Sequence, residues 1–257
     1  MLQADEDGCD SMVNTQVGGS RTLGRGLEVL KALSQAPDGA TVAGLSKRTG
    51  LDRAVLYRLL DTLTAEGFAV RDSDTRKFHL GVSLIELGIR ATRQLDVRRY
   101  ALPGMRSLME QAHEAVCLAV QDRRDVVVVD RVEPRGLSVR VHYPVGTRHP
   151  LTSGAHGRAL LSQLEPESRR DLGASPELSA ELETSRTRGY ALSIDEIDRG
   201  VVGVAAPIVG RRGKPVASIG IVAPSLRLRD PAKLGPRVRA LAMEVSRRLV
   251  HPPVPVG

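Results

Sequence analysis

Ser153 and His156 are the best pairing of a hydroxyl nucleophile with a possible base in this sequence. Nucleophilic catalysis also needs a group that orients the base, and neither such a group nor a GxSxG elbow accompanies this serine. Cys117 lies in an apolar run, which is typical of a buried thiol rather than of a reactive thiolate. We therefore expect that the chain is not an enzyme.

The sequence also lacks the residue spacings that are typical of metal and cofactor sites. The six histidines show neither HxxxH nor HExxH spacing, and the two cysteines, Cys9 and Cys117, form no CxxC pair. The fragment Gly24–Gly26 lacks the third glycine of a dinucleotide-binding loop, and no predicted strand precedes it. We expect no bound metal and no cofactor.

Residues 53–63 could contact DNA. Val55, Leu59 and Leu63 repeat at the spacing of one helix face, which Leu56 and Leu60 widen, so the remaining side chains point largely away from the core. A helix fits the major groove of DNA, where an arginine can hydrogen-bond both acceptors of a guanine. The outward-facing residues that we expect to contact DNA are Arg53, Ala54, Tyr57 and Arg58.

Other side chains nearby predict contacts to DNA phosphates, which position a protein without reading the sequence. They are Arg21 and Arg25 at the first helix, Thr41 before the second helix, and Arg71, Arg76 and Lys77 on a hairpin. The net charge of +7 agrees with an anionic partner, although many functions are compatible with such a charge.

Caps and apolar periodicity predict three helices and a hairpin in this region. Thr41 and Asp52 are placed to cap the second and third helices, and Gly50 to end the second. Strand-like runs follow at 68–71 and 77–80. The first helix is predicted from an apolar stripe formed by Leu23, Leu27, Leu30 and Leu33. This order of elements is typical of a winged helix-turn-helix.

The rest of the chain predicts an α+β domain, with an antiparallel sheet flanked by helices. Helices are predicted at about 82–94, 98–114, 154–163, 177–188 and 231–250. Strands are predicted at 116–120, 125–132, 137–145, 201–209 and 216–223.

Composition sets the remaining expectations. Residues 1–19 contain four acidic residues and few large apolar ones, which predicts a disordered tail. No apolar run approaches the roughly 20 residues of a membrane-spanning helix, and the acidic N-terminus is unlike a signal peptide. We therefore expect a cytoplasmic protein that does not enter a membrane.

After residue 20 the sequence resembles the IclR-type transcriptional regulators along nearly its whole length. The matching segments are TLGRGLEVLKAL at 22–33, VAGLSKRTGLDRAVLYRLLDTLTAEGF at 42–68, KFHLGVSLIELG at 77–88, VVVVDRVEP at 126–134, VGTRHPLTSGAHGRALL at 145–161, RGYALSIDE at 188–196 and GVAAPI at 203–208. The resemblance implies a winged helix-turn-helix domain at 20–81, a linker helix at 82–97 and a GAF-like effector-binding domain at 98–252. It also implies a homodimer, or a dimer of dimers, on double-stranded operator DNA.

The resemblance places a small-molecule pocket around one helix N-terminus, the stretch after the Gly-Tyr-Ala motif and the late hairpin. The residues that it assigns to effector binding are Ser153, Gly154, Ala155, His156, Ser193, Glu196, Gly203, Gly220 and Val222. Backbone amides at 153–155 would stand at the helix N-terminus, which favours an anionic group such as a carboxylate.

Four of these positions depart from the family pattern. Ser193 stands where the family often has an acid, Gly203 where it commonly has a cysteine, and Gly220 and Val222 where small polar residues are frequent. The departures predict a roomier and more apolar pocket for an aromatic or mostly apolar carboxylate, or for a neutral lactone-like ligand. The alternative is that these residues serve only the packing of the strands.

The function implied is a sequence-specific DNA-binding regulator, and we expect a repressor. Its operator affinity would change because the effector binds one arrangement of the protein better than another. The alternative is an interaction or scaffold protein that uses its winged helix for protein contacts.

Overall fold

The structure, a computed structural model, describes residues 19–252, and the chain divides into two compact units. One unit ends at Arg90 and the other begins at Ala91. The tail predicted at 1–19 lies outside the described residues except for Gly19. Across residues 19–252, no helix combines the length and the apolar character needed to cross a membrane.

Three helices and a hairpin form the first unit, as the sequence predicted. The elements are α1 (Arg21–Ser34), α2 (Val42–Thr49), α3 (Arg53–Ala65), β1 (Ala69–Arg71) and β2 (Phe78–Leu80). Thr41 Oγ1 accepts a hydrogen bond from Gly44 N at 3.2 Å and caps α2, which ends at Gly50 with φ at +68°. Asp52 occupies the N-cap position of α3, but within the described residues its carboxylate makes no capping hydrogen bond.

The buried face of α1 differs from the predicted stripe. Leu23 and Leu27 are 63% and 50% exposed, whereas Val29 and Leu33 are buried. The reason is the close approach of α1 to α3 at Gly26, where an added Cβ would lie 3.9 Å from a methyl group of Leu59. The contact face therefore runs through Gly26 and leaves the first two leucines on the surface.

The buried face of α3 is centred on Leu56 and Leu60, which are both fully buried. Leu59 is buried beside them, and the predicted Val55 and Leu63 are only partly buried at the margin. Within the predicted face, the residues that widen it are thus the most deeply buried, and Arg53, Ala54, Tyr57 and Arg58 remain exposed.

Two separate helices follow the hairpin, where the sequence predicted helices at about 82–94 and 98–114. They are α4 (Ser83–Arg93) and α5 (Asp96–Ala112). Among residues 19–252, α4 is unusual in burying none of its own residues. Val82, Ile85 and Leu87 are each more than half exposed.

A six-stranded antiparallel sheet forms the second unit. Its strands are β3 (Ala115–Asp122), β4 (Asp125–Val132), β5 (Arg148–Pro150), β6 (Ala191–Ile194), β7 (Val201–Val209) and β8 (Pro215–Pro224). They lie in the order β5-β4-β3-β8-β7-β6. The prediction of a strand at 137–145 is wrong, since that stretch carries no regular strand. The short β5 takes the edge position next to β4.

Helices cover both faces of the sheet, which confirms the α+β prediction. On one face, α5 and α9 (Gly235–Val250) pack against alternate strand residues in the largest hydrophobic core, with Met105, Leu118, Ile219 and Val238 all fully buried. The other face is covered by α6 (Gly154–Leu161), with α7 (Pro166–Asp171) and α8 (Pro176–Arg188) around it. The alternation places Ser218, Gly220 and Val222 of β8 on the α6 side.

Candidate functional site

The predicted DNA-contacting face of α3 is exposed. Tyr57 is 48% exposed, and Arg53, Ala54 and Arg58 are exposed on the same side of the helix. The fully buried Leu56 lies between them in the sequence and fixes α3 on the core. This arrangement leaves a hydroxyl group and two guanidinium groups exposed on one side of α3.

Arg25 lies beside this face, because α1 and α3 border a common surface groove of about 220 Å³. Arg25 and Thr22 line the groove from α1, and Arg58 and Thr62 line it from α3. Arg21 is exposed in the first turn of α1. Of these two predicted phosphate-contacting residues, Arg25 therefore shares a surface groove with α3.

The basic residues of the hairpin are held in different ways. The Arg71 guanidinium lies 5.5 Å from the centroid of the Phe78 ring, and Lys77 Nζ donates to the Asp38 carbonyl at 3.3 Å. Arg76 is exposed in the turn, with φ at +56°.

Asp72, at the start of the hairpin turn, closes the turn by accepting hydrogen bonds through Oδ1. The donors are Thr75 N (2.7 Å), Thr75 Oγ1 (2.8 Å) and Asp74 N (3.0 Å), and those from Thr75 chiefly hold the pKa of Asp72 below its usual value.

A small pocket lies between α6, β6, β7 and β8 in the second unit. Its free volume is about 20 Å³, which is room for about one water molecule. Six of the residues predicted to bind the effector line it: Gly154, Ala155, His156, Ser193, Gly203 and Val222. The lining is largely apolar, but the pocket in this conformation is not roomy.

Five further residues line the pocket and were missed by the sequence reasoning. They are Tyr143, Ile197, Asp198, Val201 and Val202. Tyr143 lies in a stretch that the sequence assigned to a strand, and the others lie in or just after the turn between β6 and β7. The only signal for the latter was their proximity to the Gly-Tyr-Ala motif.

Three of the predicted effector residues do not line the pocket. Ser153 N donates to the Pro150 carbonyl at 3.1 Å, so this amide is already engaged. Gly220 leaves no space for a ligand, because an added Cβ would lie 2.5 Å from the Val204 carbonyl oxygen; the glycine serves sheet packing. Glu196 stands beside the pocket, where its carboxylate Oε2 accepts a hydrogen bond from Gly154 N at 2.9 Å.

His156 is the buried polar side chain of the pocket. It is 2% exposed, its Nδ1 lies 2.9 Å from Ser218 Oγ, and burial lowers its pKa to about 3, so the ring is neutral. Its Nε2 has no hydrogen-bond partner within residues 19–252. His156 therefore pairs with Ser218 inside the core and not with the predicted Ser153.

The thiol of Cys117 lies in the sheet of the second unit. Cys117 is buried, and burial raises its pKa to about 12, so the thiol stays protonated. No cluster of His, Cys, Asp and Glu suited to a metal ion occurs in the part of the chain that the structure describes.

A larger groove of about 330 Å³ lies next to the pocket and opens to the surface. Arg158 lies at its centre, and its guanidinium contacts Glu181 at 2.6 Å and Glu196 at 3.1 Å. The Arg158 guanidinium is thus already paired with two carboxylates in this groove, whereas His156 Nε2 at the neighbouring pocket has no hydrogen-bond partner within residues 19–252.

Models of known protein domains match both units. The IclR helix-turn-helix domain model matches residues 22–73, and the model of the bacterial transcriptional regulator IclR C-terminal domain matches residues 89–247. The transcriptional repressor AllR of Escherichia coli K12 is 30% identical over 253 residues, which cover 91% of this chain and 93% of AllR. The regulator BhcR of Paracoccus denitrificans is 30% identical over 227 residues, covering 83% of this chain and 81% of BhcR. The solved structure of an IclR transcriptional regulator from Alicyclobacillus acidocaldarius is 25% identical, with a TM-score of 0.77, and the match covers 89% of this chain and 98% of that one. The chain belongs to the IclR family of helix-turn-helix transcriptional regulators.

Proposed function

We propose that the chain is a repressor that reads its operator with the outer face of α3 and releases it when a small organic acid fills the pocket beside α6. The observation that carries the first part is the surface formed by Arg25, Arg53, Tyr57 and Arg58 above the buried Leu56. Guanidinium groups so placed can bond guanine edges or phosphates. A protein that binds the chromosome in a bacterium acts in the cytoplasm, and its role is binding rather than catalysis.

The effector that fits best is an aromatic or mostly apolar carboxylate. Val201, Val202 and Val222 supply apolar walls, and the N-terminus of α6 carries the partial positive charge that favours an anion. Because the free volume of the pocket is about 20 Å³, the pocket must widen when such a ligand enters. We expect the pocket to widen more easily in one arrangement of the protein than in another. Ligand binding then shifts the balance between the two arrangements and so changes operator affinity.

Self-association completes the proposal, as a homodimer or a dimer of dimers. Leu23 and Leu27 of α1, together with Val82, Ile85 and Leu87 at α4, expose large apolar side chains within the first unit. Large apolar side chains exposed along one short helix, as at α4, favour a protein–protein contact there. A dimer would place two reading helices on paired half-sites about one helical turn apart.

Changing Arg53 or Arg58 to alanine should weaken operator binding by about 1–3 kcal/mol each, roughly 5- to 150-fold in affinity. The physical reason is the loss of bidentate hydrogen bonds to a base edge. Fluorescence anisotropy with DNA from upstream of the gene, at fixed salt, measures this change. Arg25→Ala should instead weaken binding to all sequences alike and lower the salt dependence, as expected of a phosphate contact.

Arg186→Ala provides the matched control, because it removes the same charge from an exposed position of α8 in the second unit. Its operator affinity should equal that of the unmodified protein within about twofold. If the unmodified protein failed to bind DNA at every salt concentration tested, the operator-binding proposal would fail and the scaffold function would be favoured.

A further inference from the structure

The anion position at the N-terminus of α6 is already occupied by a side chain of the protein. Gly154 is the first residue of α6, and its amide donates to Glu196 Oε2 at 2.9 Å. The same oxygen lies 3.1 Å from Arg158 Nε. The Glu196 carboxylate therefore stands where the helix dipole and a free amide would otherwise attract an anionic ligand.

His156, two residues further along α6, independently indicates that a ligand belongs at this place. The side chain is buried and lines the pocket, and in the described part of the chain its Nε2 meets neither a donor nor an acceptor. A buried polar atom in this state destabilises the fold unless something binds it. The pocket beside Gly154 is thus incomplete as it stands.

Glu196 also controls the wall of the pocket, because Ile197 and Asp198 follow it directly and line the cavity. The Ile197 side chain lies 3.2 Å from the position that a Cβ on Gly154 would take. A ligand larger than water needs this wall to move. The hydrogen bond from Gly154 to Glu196 ties the wall to α6 and opposes that movement.

We propose that Glu196 is an internal competitor for the carboxylate of the effector, and that it determines which acids the pocket accepts; this inference rests on the effector site proposed above. A ligand carboxylate and Glu196 require the same amide, and two carboxylates side by side repel each other. The incoming acid must displace Glu196, which remains near Arg158. Very small acids gain too little apolar contact to offset this displacement, whereas an acid with an aromatic body gains enough.

Titration calorimetry on the full chain tests the exchange with benzoate and its uncharged isostere benzamide. Glu196→Gln keeps an oxygen that can accept from Gly154 N, but a neutral acceptor binds less strongly than a carboxylate and does not repel benzoate. We expect the ratio of benzoate affinity to benzamide affinity to rise about tenfold in this variant, the equivalent of about 1.4 kcal/mol. Glu181→Gln removes the same charge from the other partner of Arg158, and its ratio should stay within about twofold of the unmodified protein.

The outcomes separate the exchange from the proposed function. If benzoate binds but the ratio is the same in all three proteins, Glu196 is no competitor and the inference is overturned, while the effector site stands. If Glu196→Gln loses both ligands alike and melts at a lower temperature, Glu196 is only a structural cap, and the inference is again overturned. If none of the proteins binds either compound, the aromatic effector class proposed above is contradicted, and the exchange fails with it.

Discussion

Replacing Arg169 with methionine should lower the free energy of unfolding of the second unit by about 3–5 kcal/mol. Arg169 is 1% exposed, and its guanidinium donates to three backbone carbonyls at the end of α6: from Nε to Leu161 (3.0 Å) and Leu164 (2.8 Å), and from Nη2 to Ser162 (2.8 Å). Nη1 donates to Glu183 of α8 at 2.5 Å. Methionine fills a similar volume but leaves these acceptors without donors. Differential scanning calorimetry of the full chain measures the loss.

Arg170→Met is the matched control, because Arg170 is the exposed neighbour on the same helix, and we expect its effect to stay within about 0.5 kcal/mol. Arg169→Lys should be intermediate, since one ammonium group cannot satisfy acceptors on several sides. Equal melting temperatures for Arg169→Met and Arg170→Met would contradict the role assigned to the buried guanidinium. The prediction matters for function because the same helix, α6, carries Gly154, Ala155 and His156 into the pocket.

The first unit could be predicted from the sequence because its signals are local. Thr41 caps α2, Gly50 ends it, and the hairpin strands fall where alternation and turn residues place them. The face of α1 could not be predicted, because burial of Leu23 and Leu27 depends on where another helix approaches. That approach is set at Gly26, a residue without a side chain to leave a hydrophobic signal.

The pocket was predicted in part, and only through family resemblance. Gly154, His156 and Gly203 line it, but the occupation of the Gly154 amide by Glu196 joins residues 42 positions apart and follows from no spacing in the sequence. The small residue at Gly203 led us to predict a roomier pocket than the structure has. Ala155 and Ser193 fill the place of the missing side chain: an added Cβ on Gly203 would lie 2.8 Å from Ser193 Oγ and 3.2 Å from Ala155 Cβ. Removing side-chain volume at one position thus created little cavity, since close packing absorbed the difference.

The stability of the second unit should fall as the pH is lowered below about 6.5, and His156 should account for a large share of the change. Burial lowers the pKa of His156 from its ordinary 6.5 to about 3. Between these values the unfolded chain binds a proton that the folded chain does not, so the free energy of unfolding decreases by about 1.4 kcal/mol per pH unit. The contribution is complete above pH 6.5, is reduced by about 2 kcal/mol at pH 5, and continues to decline toward pH 3.

Calorimetric melting at pH 7.5 and pH 5 compares the unmodified protein with His156→Asn, whose side-chain amide can still reach Ser218. The variant should lose less stability than the unmodified protein between the two pH values, by about 2 kcal/mol. His149 remains in both proteins and adds a loss of the same sign, since burial also lowers its pKa. His142→Asn removes an exposed histidine and should keep the unmodified pH dependence. If the unmodified protein and His156→Asn lost the same stability between pH 7.5 and pH 5, His156 would not be held neutral in the fold. A steeper loss in the unmodified protein and His142→Asn than in His156→Asn would mean that the fold holds His156 neutral, with Nε2 as an uncharged polar atom beside the pocket.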